Sequence, residues 1–343
     1  MTVIAPAPAP SASFRPKKRL GFNTRVSFND ETGPAHGLRE GIELLKAAER
    51  LGYQSGWAYQ RHFDHYLSSP LPFFAAAGQH TSHIVLGSAV IPMRYQDPIL
   101  LAEAAGTTDA VFGTVETDAR TEAKRRQARF LSAISGEVLH TVAESGQGAA
   151  EGSQLRVTPH SPTLRSRIRQ GSASLGSAIQ AAQLGIGLIA GTVQHDHAEG
   201  ESFGSYQARC IEAFRANWRK QRTSEPPPVA VAASVLVGTT PELREKYAAY
   251  DLERRTQGIA ASRPKGALQP SSRTNQPPGS QISPVFHGTA DQVIEAVLSD
   301  PGLAAADEIV LFLPPAFSLV ENIQLLTDLA GTVAPSLGWS PDW

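Results

Sequence analysis

The amino-acid sequence predicts an α/β fold in which parallel strands alternate with helical crossovers. Short, β-branched apolar runs alternate with segments of helical period along most of the chain. Several of these runs are continuously apolar, as expected of strands that are buried on both faces of a sheet. The length of 343 residues fits one large parallel barrel, since such barrels span roughly 200 to over 400 residues.

The pattern predicts seven strands and nine helices that alternate along most of the chain. The strands cover residues 20–25, 55–59, 84–91, 167–171, 186–191, 229–238 and 308–313. The helices cover residues 38–52, 71–81, 99–110, 121–134, 177–184, 205–222, 241–255, 290–298 and 319–334. Gly52 is placed as the C-cap of the first helix, and a proline lies in the first turn of the helices that start near 71 and 241. A short hairpin is expected around residues 155–157, and seven strands leave an eight-stranded barrel one short.

Two segments lie outside this alternation. Residues 1–19 are rich in Ala and Pro and lack the charged start and apolar stretch of a signal peptide, so they are predicted to be a disordered leader. The rest, residues 20–343, is predicted to be a single domain. Within it, residues 256–285 are rich in Pro, Gly, Ser and Gln and show no periodicity, which predicts a mobile loop.

Composition and charge exclude several classes of protein. The 31 basic and 32 acidic residues nearly cancel, so no electrostatic footprint for nucleic acid is present. Cys210 is the only cysteine, which excludes an intrachain disulfide and a thiolate-cluster metal site, and no metal is predicted. No apolar run reaches the roughly 18 residues of a membrane helix. We therefore expect a soluble, cytoplasmic protein without nucleic-acid or membrane partners.

Polar segments follow two of the predicted strands, where parallel α/β folds place their chemistry. The first is "QRHFD" at 60–64, and the second is "GSASLGS" at 171–177, between a strand and a helix. The small residues of the second segment let backbone N–H groups approach a phosphate at a helix N-terminus. A plain helix cap is the alternative interpretation of that segment.

Four stretches carry a resemblance to a known family: "GFNTR" at 21–25, the segment 48–109 that contains "QRHF", "GSASLGSAIQAAQLGIGLIAG" at 171–191 and "FHGTADQVIEAV" at 286–297. Together they resemble bacterial luciferase-like flavin-dependent monooxygenases. The resemblance implies a TIM (β/α)₈-type barrel, usually dimeric, with the flavin at the carboxyl ends of the strands. It also implies that residues 256–285 are a lid that excludes water from the reaction.

The resemblance assigns cofactor-binding residues. Matched to the family's phosphate loop, Ser174 and Ser177 bind the FMN phosphate with help from the Leu175 N–H. Thr24 is implied at the flavin as well. Ala89 and Val90 match the place where the backbone runs under the flavin ring, often with a non-proline cis peptide, although a plain buried strand remains an alternative there.

The resemblance also implies catalytic residues and exposes a departure from the family. "QRHF" matches the motif E/Q-H-H-F, so His62 takes the place of the second histidine, although a purely structural role for it stays open. Arg61 replaces the first histidine, and an arginine stays protonated, so it cannot act as a base but can orient an anion. After Asp109 the family's fourth strand is missing, which predicts either a shortened surrogate strand within 110–115 or an open barrel.

The implied activity is oxygenation of a small organic substrate by reduced FMN and O₂. The reduced FMN would come from a separate NAD(P)H-dependent flavin reductase, and the protein would form a homodimer. A deazaflavin in place of FMN is a less favoured alternative. A degenerate, non-catalytic flavin-binding protein or scaffold of the same fold is the competing interpretation, because of the missing strand and Arg61.

Overall fold

The computed structural model describes residues 18–62, 64–112, 115–116, 123–143, 150–161, 163–257 and 280–341. The predicted leader, apart from its last two residues, lies outside the described residues. So does most of the predicted loop at 256–285. The expectations of disorder and of a mobile lid therefore stay predictions.

Thirteen strands and eleven α-helices make up the described chain. The strands are β1 (Arg19–Thr24), β2 (Ser55–Ala58), β3 (Val85–Ser88), β4 (Val115–Glu116), β5 (His140–Thr141), β6 (Gln154–Leu155), β7 (Arg169–Ser172), β8 (Gly187–Ala190), β9 (Val193–Gln194), β10 (Ala230–Val237), β11 (Gln281–Ile282), β12 (Val285–Gly288) and β13 (Glu308–Phe312). The helices are α1 (Gly33–Arg50), α2 (Pro70–Ala77), α3 (Pro98–Phe112), α4 (Ala123–Ile134), α5 (Leu164–Arg167), α6 (Leu175–Leu184), α7 (Phe203–Gln221), α8 (Pro241–Gln257), α9 (Ala290–Ser299), α10 (Pro301–Ala305) and α11 (Leu319–Asp328).

Every predicted strand is present, and the predicted helices are present with shifted ends. The helix predicted to start at 177 begins at Leu175, because the side chains of Ser174 and Ser177 form a reciprocal capping box with each other's backbone N–H. The helix predicted to reach 334 ends at Asp328 and continues as a π-helical and a 3₁₀ turn. The expected hairpin is the antiparallel pair β5–β6.

The main sheet has the strand order of a parallel barrel. Adjacent strands follow the order β4-β3-β2-β1-β13-β10-β8-β7, and every pair in it is parallel. Strand β12 pairs with the second half of β10. The first and last barrel strands are joined, since β1 pairs with β13 as well as with β2. In the part of the chain that the structure describes, no ladder joins β4 to β7. The fold is thus an α/β barrel that is open between its fourth and fifth strands.

The fourth strand is a two-residue surrogate. Val115 pairs with Leu86 and Glu116 with Gly87. The prediction of a shortened strand is confirmed, but the strand lies later in the chain than predicted, because residues 110–112 continue α3. Helix α3 is fixed at this end by Asp109, whose carboxylate receives both terminal nitrogens of Arg167 at 2.7 Å. This bidentate pair links the chain before β4 to the chain before β7 and so bridges the opening.

The floor of the barrel interior is a buried polar network. The carboxylate of Glu308 accepts hydrogen bonds from Arg169 Nη1 at 2.7 Å and from Ser55 Oγ at 2.5 Å. Trp57 Nε1 donates to the same Ser55 hydroxyl at 2.9 Å, and the guanidinium of Arg169 lies over the Trp57 ring. Burial opposes ionisation of Glu308, but the charges of Arg169 and Arg19 and these hydrogen bonds more than offset it and lower its pKa.

Two glycines make room for this network. A β-carbon at Gly87 would lie 2.5 Å from the Trp57 ring, and one at Gly21 would overlap the Ser55 hydroxyl. Above the network, Trp57 packs with Ile189, Ala230 and Val310 in a small apolar cluster inside the barrel. The larger core lies outside the strands, between the sheet and the surrounding helices. The interior is therefore packed at its floor, and the carboxyl ends of the strands form the mouth.

Candidate functional site

The wall of the mouth nearest β1 and β3 combines an unsatisfied amide with an unusual peptide bond. The Ala89–Val90 peptide is cis, as the resemblance implied. Asn23 is buried, and its Nδ2 donates to the Ala89 carbonyl at 3.4 Å. Among the described residues its Oδ1 has no hydrogen-bond partner. A buried carbonyl without a donor is costly unless a ligand or water satisfies it, so this wall is suited to receive an N–H group.

Thr24 lies on the opposite face of β1 from Asn23, because successive side chains of a strand alternate. It lines a separate cavity of about 60 Å³ together with Gly41 and Asn322. Asn23, rather than Thr24, is the β1 residue that contacts the Ala89 carbonyl, and the assignment of Thr24 to the flavin stays a prediction. The signal for Asn23 was present in the sequence, since strand alternation places it on the face opposite the buried Phe22.

The segment after β2 is organised by Gln60. Its Nε2 donates to the Ser68 carbonyl at 2.7 Å, which fixes the orientation of the amide, and lies 3.3 Å from His62 Nε2. An amide nitrogen only donates, so Nε2 of His62 is the acceptor in this contact. The His62 ring packs edge-on against Tyr95, with 5.3 Å between ring centroids.

Arg61 is held in an ion pair. Its Nε lies 3.0 Å from Asp64 Oδ2, and the Asp64 side chain is almost fully buried. The pairing neutralises much of the charge that an anionic substrate would need from Arg61. The structure thus brings His62 and Arg61 to the same loop but gives each a partner within the chain.

The serine turn at 171–177 is also satisfied internally. Ser172 Oγ lies 2.8 Å from Ser177 Oγ, and Ser174 Oγ lies 3.1 Å from it. The N–H of Leu175, implied as a phosphate ligand, donates to Tyr206 Oη at 2.9 Å. Tyr206 in turn donates to Asp196. The hydroxyl groups and the Leu175 N–H of this turn already make hydrogen bonds within the protein. An anion that binds here must therefore replace some of those hydrogen bonds.

Two buried arginines at the mouth were not predicted from the sequence. Arg25 lies among three aromatic rings, with its guanidinium carbon 5.3 Å from the centroids of Tyr59 and Phe312. Arg254, near the end of α8, donates to Ser234 Oγ at 2.8 Å and to Ser283 Oγ at 3.0 Å. Burial lowers the pKa of Arg254, and the nearby charge of Arg25 lowers it further. The alternation of side chains along β1 could have predicted that Arg25 faces the barrel interior. Arg254 is one of two adjacent arginines in the last turn of α8, and the sequence does not indicate which of them is buried.

Neither a thiol nor a metal cluster adds to this site. Cys210 is buried on α7, and burial raises the pKa of its thiol to about 12, so it is not a nucleophile at neutral pH. In the described ranges no group of three His, Cys, Asp or Glu side chains is placed to hold a metal ion. No described helix combines the length and apolarity of a membrane span.

Comparison with known proteins supports the resemblance. Residues 19–113 match the luciferase-like monooxygenase family. The 4-hydroxyprotoasukamycin monooxygenase of Streptomyces nodosus subsp. asukaensis is 30% identical over 99 residues, which cover 26% of this chain and 27% of that protein. The limonene 1,2-monooxygenase of Rhodococcus erythropolis is 32% identical over 89 residues, which cover 23% of each chain. The matched segments thus span about a quarter of the length of these curated relatives.

Solved structures extend the likeness to the whole fold. A monooxygenase from Streptomyces bottropensis superposes with a TM-score of 0.68 at 15% identity, covering 92% of this chain and 99% of that one. The oxygenating constituent of 3,6-diketocamphane monooxygenase from Pseudomonas putida, in complex with FMN, superposes with a TM-score of 0.65 at 12% identity, covering 94% and 99%. Residues 19–113 therefore resemble the luciferase-like monooxygenase family in sequence, and the chain as a whole shares the fold of these solved structures.

Proposed function

We propose that this protein is a flavin-dependent monooxygenase that uses reduced FMN and O₂ to oxygenate a small organic substrate. One observation carries the proposal: at the mouth of a luciferase-like barrel, the buried side-chain carbonyl of Asn23, which has no hydrogen-bond partner among the described residues, lies beside the Ala89 backbone. This wall offers a hydrogen-bond acceptor and a backbone surface to a flat ring that carries N–H groups. The residues present thus fit a flavin.

The proposal gives each residue a role. When bound, the reduced flavin supplies the electrons that activate O₂, so that one oxygen atom enters the substrate and the other leaves as water. The hydroxyls of Ser174 and Ser177 hold the phosphate, with the Leu175 N–H shared between the phosphate and Tyr206. Ala89 and Val90 support the ring. His62 faces the reacting centre with Nε2 held by Gln60, and Arg61 is positioned by Asp64.

A separate NAD(P)H-dependent flavin reductase supplies the reduced flavin in this proposal. A second copy of the chain is the proposed partner in a homodimer, and the cytoplasm is the proposed location. Coenzyme F420 is the alternative cofactor. An F420-dependent secondary alcohol dehydrogenase superposes on 94% of this chain with a TM-score of 0.60 at 14% identity. The serine turn would accept the phosphate of either cofactor.

A titration with FMN tests the proposed phosphate site. Replacing Ser174 and Ser177 together by Asp places negative charge against the phosphate, so we expect binding of FMN to weaken by well over tenfold. The control is the same double change at Ser202 and Ser205, which occupy the same two positions at the start of α7. Quenching of flavin fluorescence measures the affinity. Equal affinity in both double variants would remove the phosphate assignment.

The open barrel favours a second candidate, a flavin binder without productive catalysis. With β4 reduced to two residues, a flavin ring at the mouth is more exposed to water than in a closed barrel. We expect weak, uncoupled turnover in which O₂ is reduced mainly to hydrogen peroxide. The ratio of hydrogen peroxide formed to reduced FMN consumed, with candidate substrates present, measures the coupling. Tight coupling would reject the second candidate, and FMN binding without any oxidised product would favour it.

A further inference from the structure

Arg254 is a buried cation whose described hydrogen bonds go to uncharged groups. Its side chain belongs to a residue that is 5% exposed, and its two terminal nitrogens donate to the hydroxyls of Ser234 and Ser283. Within the described ranges, no ion pair includes it. Desolvating a guanidinium is expensive, and buried charges in proteins are normally paired. The environment of Arg254 therefore favours the arrival of an anion.

The acidic residue that influences Arg254 through space is already engaged elsewhere. Asp251 lies one turn earlier on α8, and its Oδ2 is 2.6 Å from Arg255 and 3.4 Å from His287. It raises the pKa of Arg254 only through space. The sequence that follows α8, residues 258–279, contains three basic residues and no acidic one, so it has no carboxylate to offer.

Arg254 is directed to the inside of the barrel. Ser234 lies on the same face of β10 as Ala230, which packs against Trp57 in the barrel interior. In the strand order β3-β2-β1-β13-β10, the strand that carries Ser234 is four places from the strand that leads to Ala89, so the two face each other across an eight-stranded barrel. A group bound at Arg254 is thus opposite the proposed flavin wall.

The serine turn is a different location. It follows β7, which is two strands from β10 in the order β10-β8-β7. Neighbouring strands lie about 5 Å apart, so the two places are separated by about 10 Å along the rim. One phosphate group cannot contact both. Arg254 therefore remains available when the serine turn holds the cofactor phosphate.

We propose that Arg254, with Ser234 and Ser283, forms an oxyanion subsite that binds the carboxylate or sulfonate headgroup of the substrate. The identification of the bound molecule as substrate rests on the proposed function. A guanidinium presents parallel N–H groups that match the two oxygens of such a headgroup, and the serine hydroxyls supply further donors once displaced. Arg25 adds a second positive charge nearby. The remainder of the substrate then extends across the mouth toward Ala89.

Access to this subsite passes the small sheet β9–β11. Ser283 directly follows β11, which is held to β9 by only two residue pairs. Its N–H donates to the Thr192 carbonyl at 2.9 Å. A two-stranded ladder this short is marginally stable, so the Ser283 segment can move aside for a headgroup at little cost.

Calorimetric titration of the full-length protein with three probes of equal length tests the subsite. The probes are hexanoate, hexane-1-sulfonate and the neutral hexanamide. We expect both anions to bind at least tenfold more tightly than the amide. Arg254→Gln should abolish this preference, and Arg254→Lys, which keeps the charge but loses the planar fork, should retain part of it. The matched control is Arg219→Gln on α7, an arginine that is largely exposed to solvent and has no part in the subsite, which should leave the preference intact.

The outcomes separate this inference from the proposed function. Equal affinity for anions and amide in the wild-type protein overturns the subsite, and this comparison requires no variant to fold. A preference that survives Arg254→Gln also overturns it. If Arg254→Gln weakens FMN but not riboflavin, the guanidinium serves the cofactor phosphate and the inference is wrong. An intact anion preference in a protein that fails to bind FMN supports the subsite and rejects the proposed function.

Discussion

Arg169 and Arg254 are both buried guanidinium groups inside the same barrel, yet their surroundings differ in kind. Arg169, at the floor, meets the carboxylate of Glu308 at 2.7 Å and lies over the Trp57 ring. Arg254, at the mouth, meets two serine hydroxyls. The floor network supplies its own counter-charge. At the mouth, the desolvated guanidinium of Arg254 lies where an anionic ligand can supply the counter-charge.

The buried charge of Arg169 stabilises the fold, whereas the buried charge of Arg254 is suited to bind a ligand. A buried ion pair that is complete within the chain loses stability when either partner is removed, because the other is left uncompensated. A buried cation that is held by hydroxyl groups leaves no unpaired charge behind when it is removed. Its removal should therefore lower the stability less and weaken ligand binding more.

Glu308→Gln should destabilise the protein by about 3–5 kcal/mol, because it leaves the Arg169 charge buried without a carboxylate. Arg254→Gln should cost less than about 1.5 kcal/mol, the loss of ordinary hydrogen bonds to hydroxyls. Urea unfolding followed by tryptophan fluorescence measures both. Glu321→Gln, which removes the half-exposed partner of Lys246, serves as a control and should change stability by less than about 1 kcal/mol after solvent screening. A cost for Arg254→Gln as large as that for Glu308→Gln would end the distinction between floor and mouth.

Asp109→Asn should destabilise the protein by about 1.5–3 kcal/mol, because it replaces a bidentate ion pair with Arg167 by weaker neutral contacts. The effect should be local to the opening between β4 and β7. Hydrogen exchange should therefore accelerate in α3 and β7 while β1 and β13, on the closed side, keep their protection. Uniform acceleration across the sheet would show that the opening is not an independent unit.

Gly21→Ala should cost about 1–3 kcal/mol, since the added methyl group overlaps the Ser55 hydroxyl and disturbs the floor network. The matched change Gly176→Ala, in a helix with no atom within 4 Å of the added carbon, should be neutral or slightly stabilising. Thermal unfolding of the two variants measures the difference. A floor that tolerates the methyl group without loss would show that the network is loosely packed.

Acid should weaken the floor before it affects the mouth. The pKa of Glu308 is lowered in the folded protein, so its contribution to stability is present above the unfolded-state pKa, about 4.3, and is lost as the pH falls through the folded value. Urea unfolding at several pH values below 5 should show a steeper decline for the wild-type protein than for Glu308→Gln. Parallel declines would assign the acid sensitivity to other carboxylates.

The order of strands and helices is determined by the local sequence. Runs such as residues 229–238 are apolar on both faces, and the intervening segments have helical period, so each element is specified by its own residues. The polar segments at strand ends are equally local, which is why the serine turn and the His62 loop could be placed from the sequence, whereas the Ala89–Val90 peptide was implied only by the family resemblance. The shortened fourth strand could be predicted too, but not its register, because residues 110–112 are apolar enough for a strand and yet continue α3 in the structure.

The partners of the charged side chains that pair over long sequence distances were decided by the tertiary structure. Arg254 bonds residues 20 and 29 positions away, and Arg169 pairs with Glu308 across 139 positions. No local pattern specifies such distances, because they depend on how the strands close around a common interior. The sequence by itself determined the order of the strands and therefore where the mouth of the barrel lies. The pairing of β1 with β13 and of β13 with β10 decided the rest. It places Arg25 and Arg254 at the mouth and the carboxylate of Glu308 at the floor.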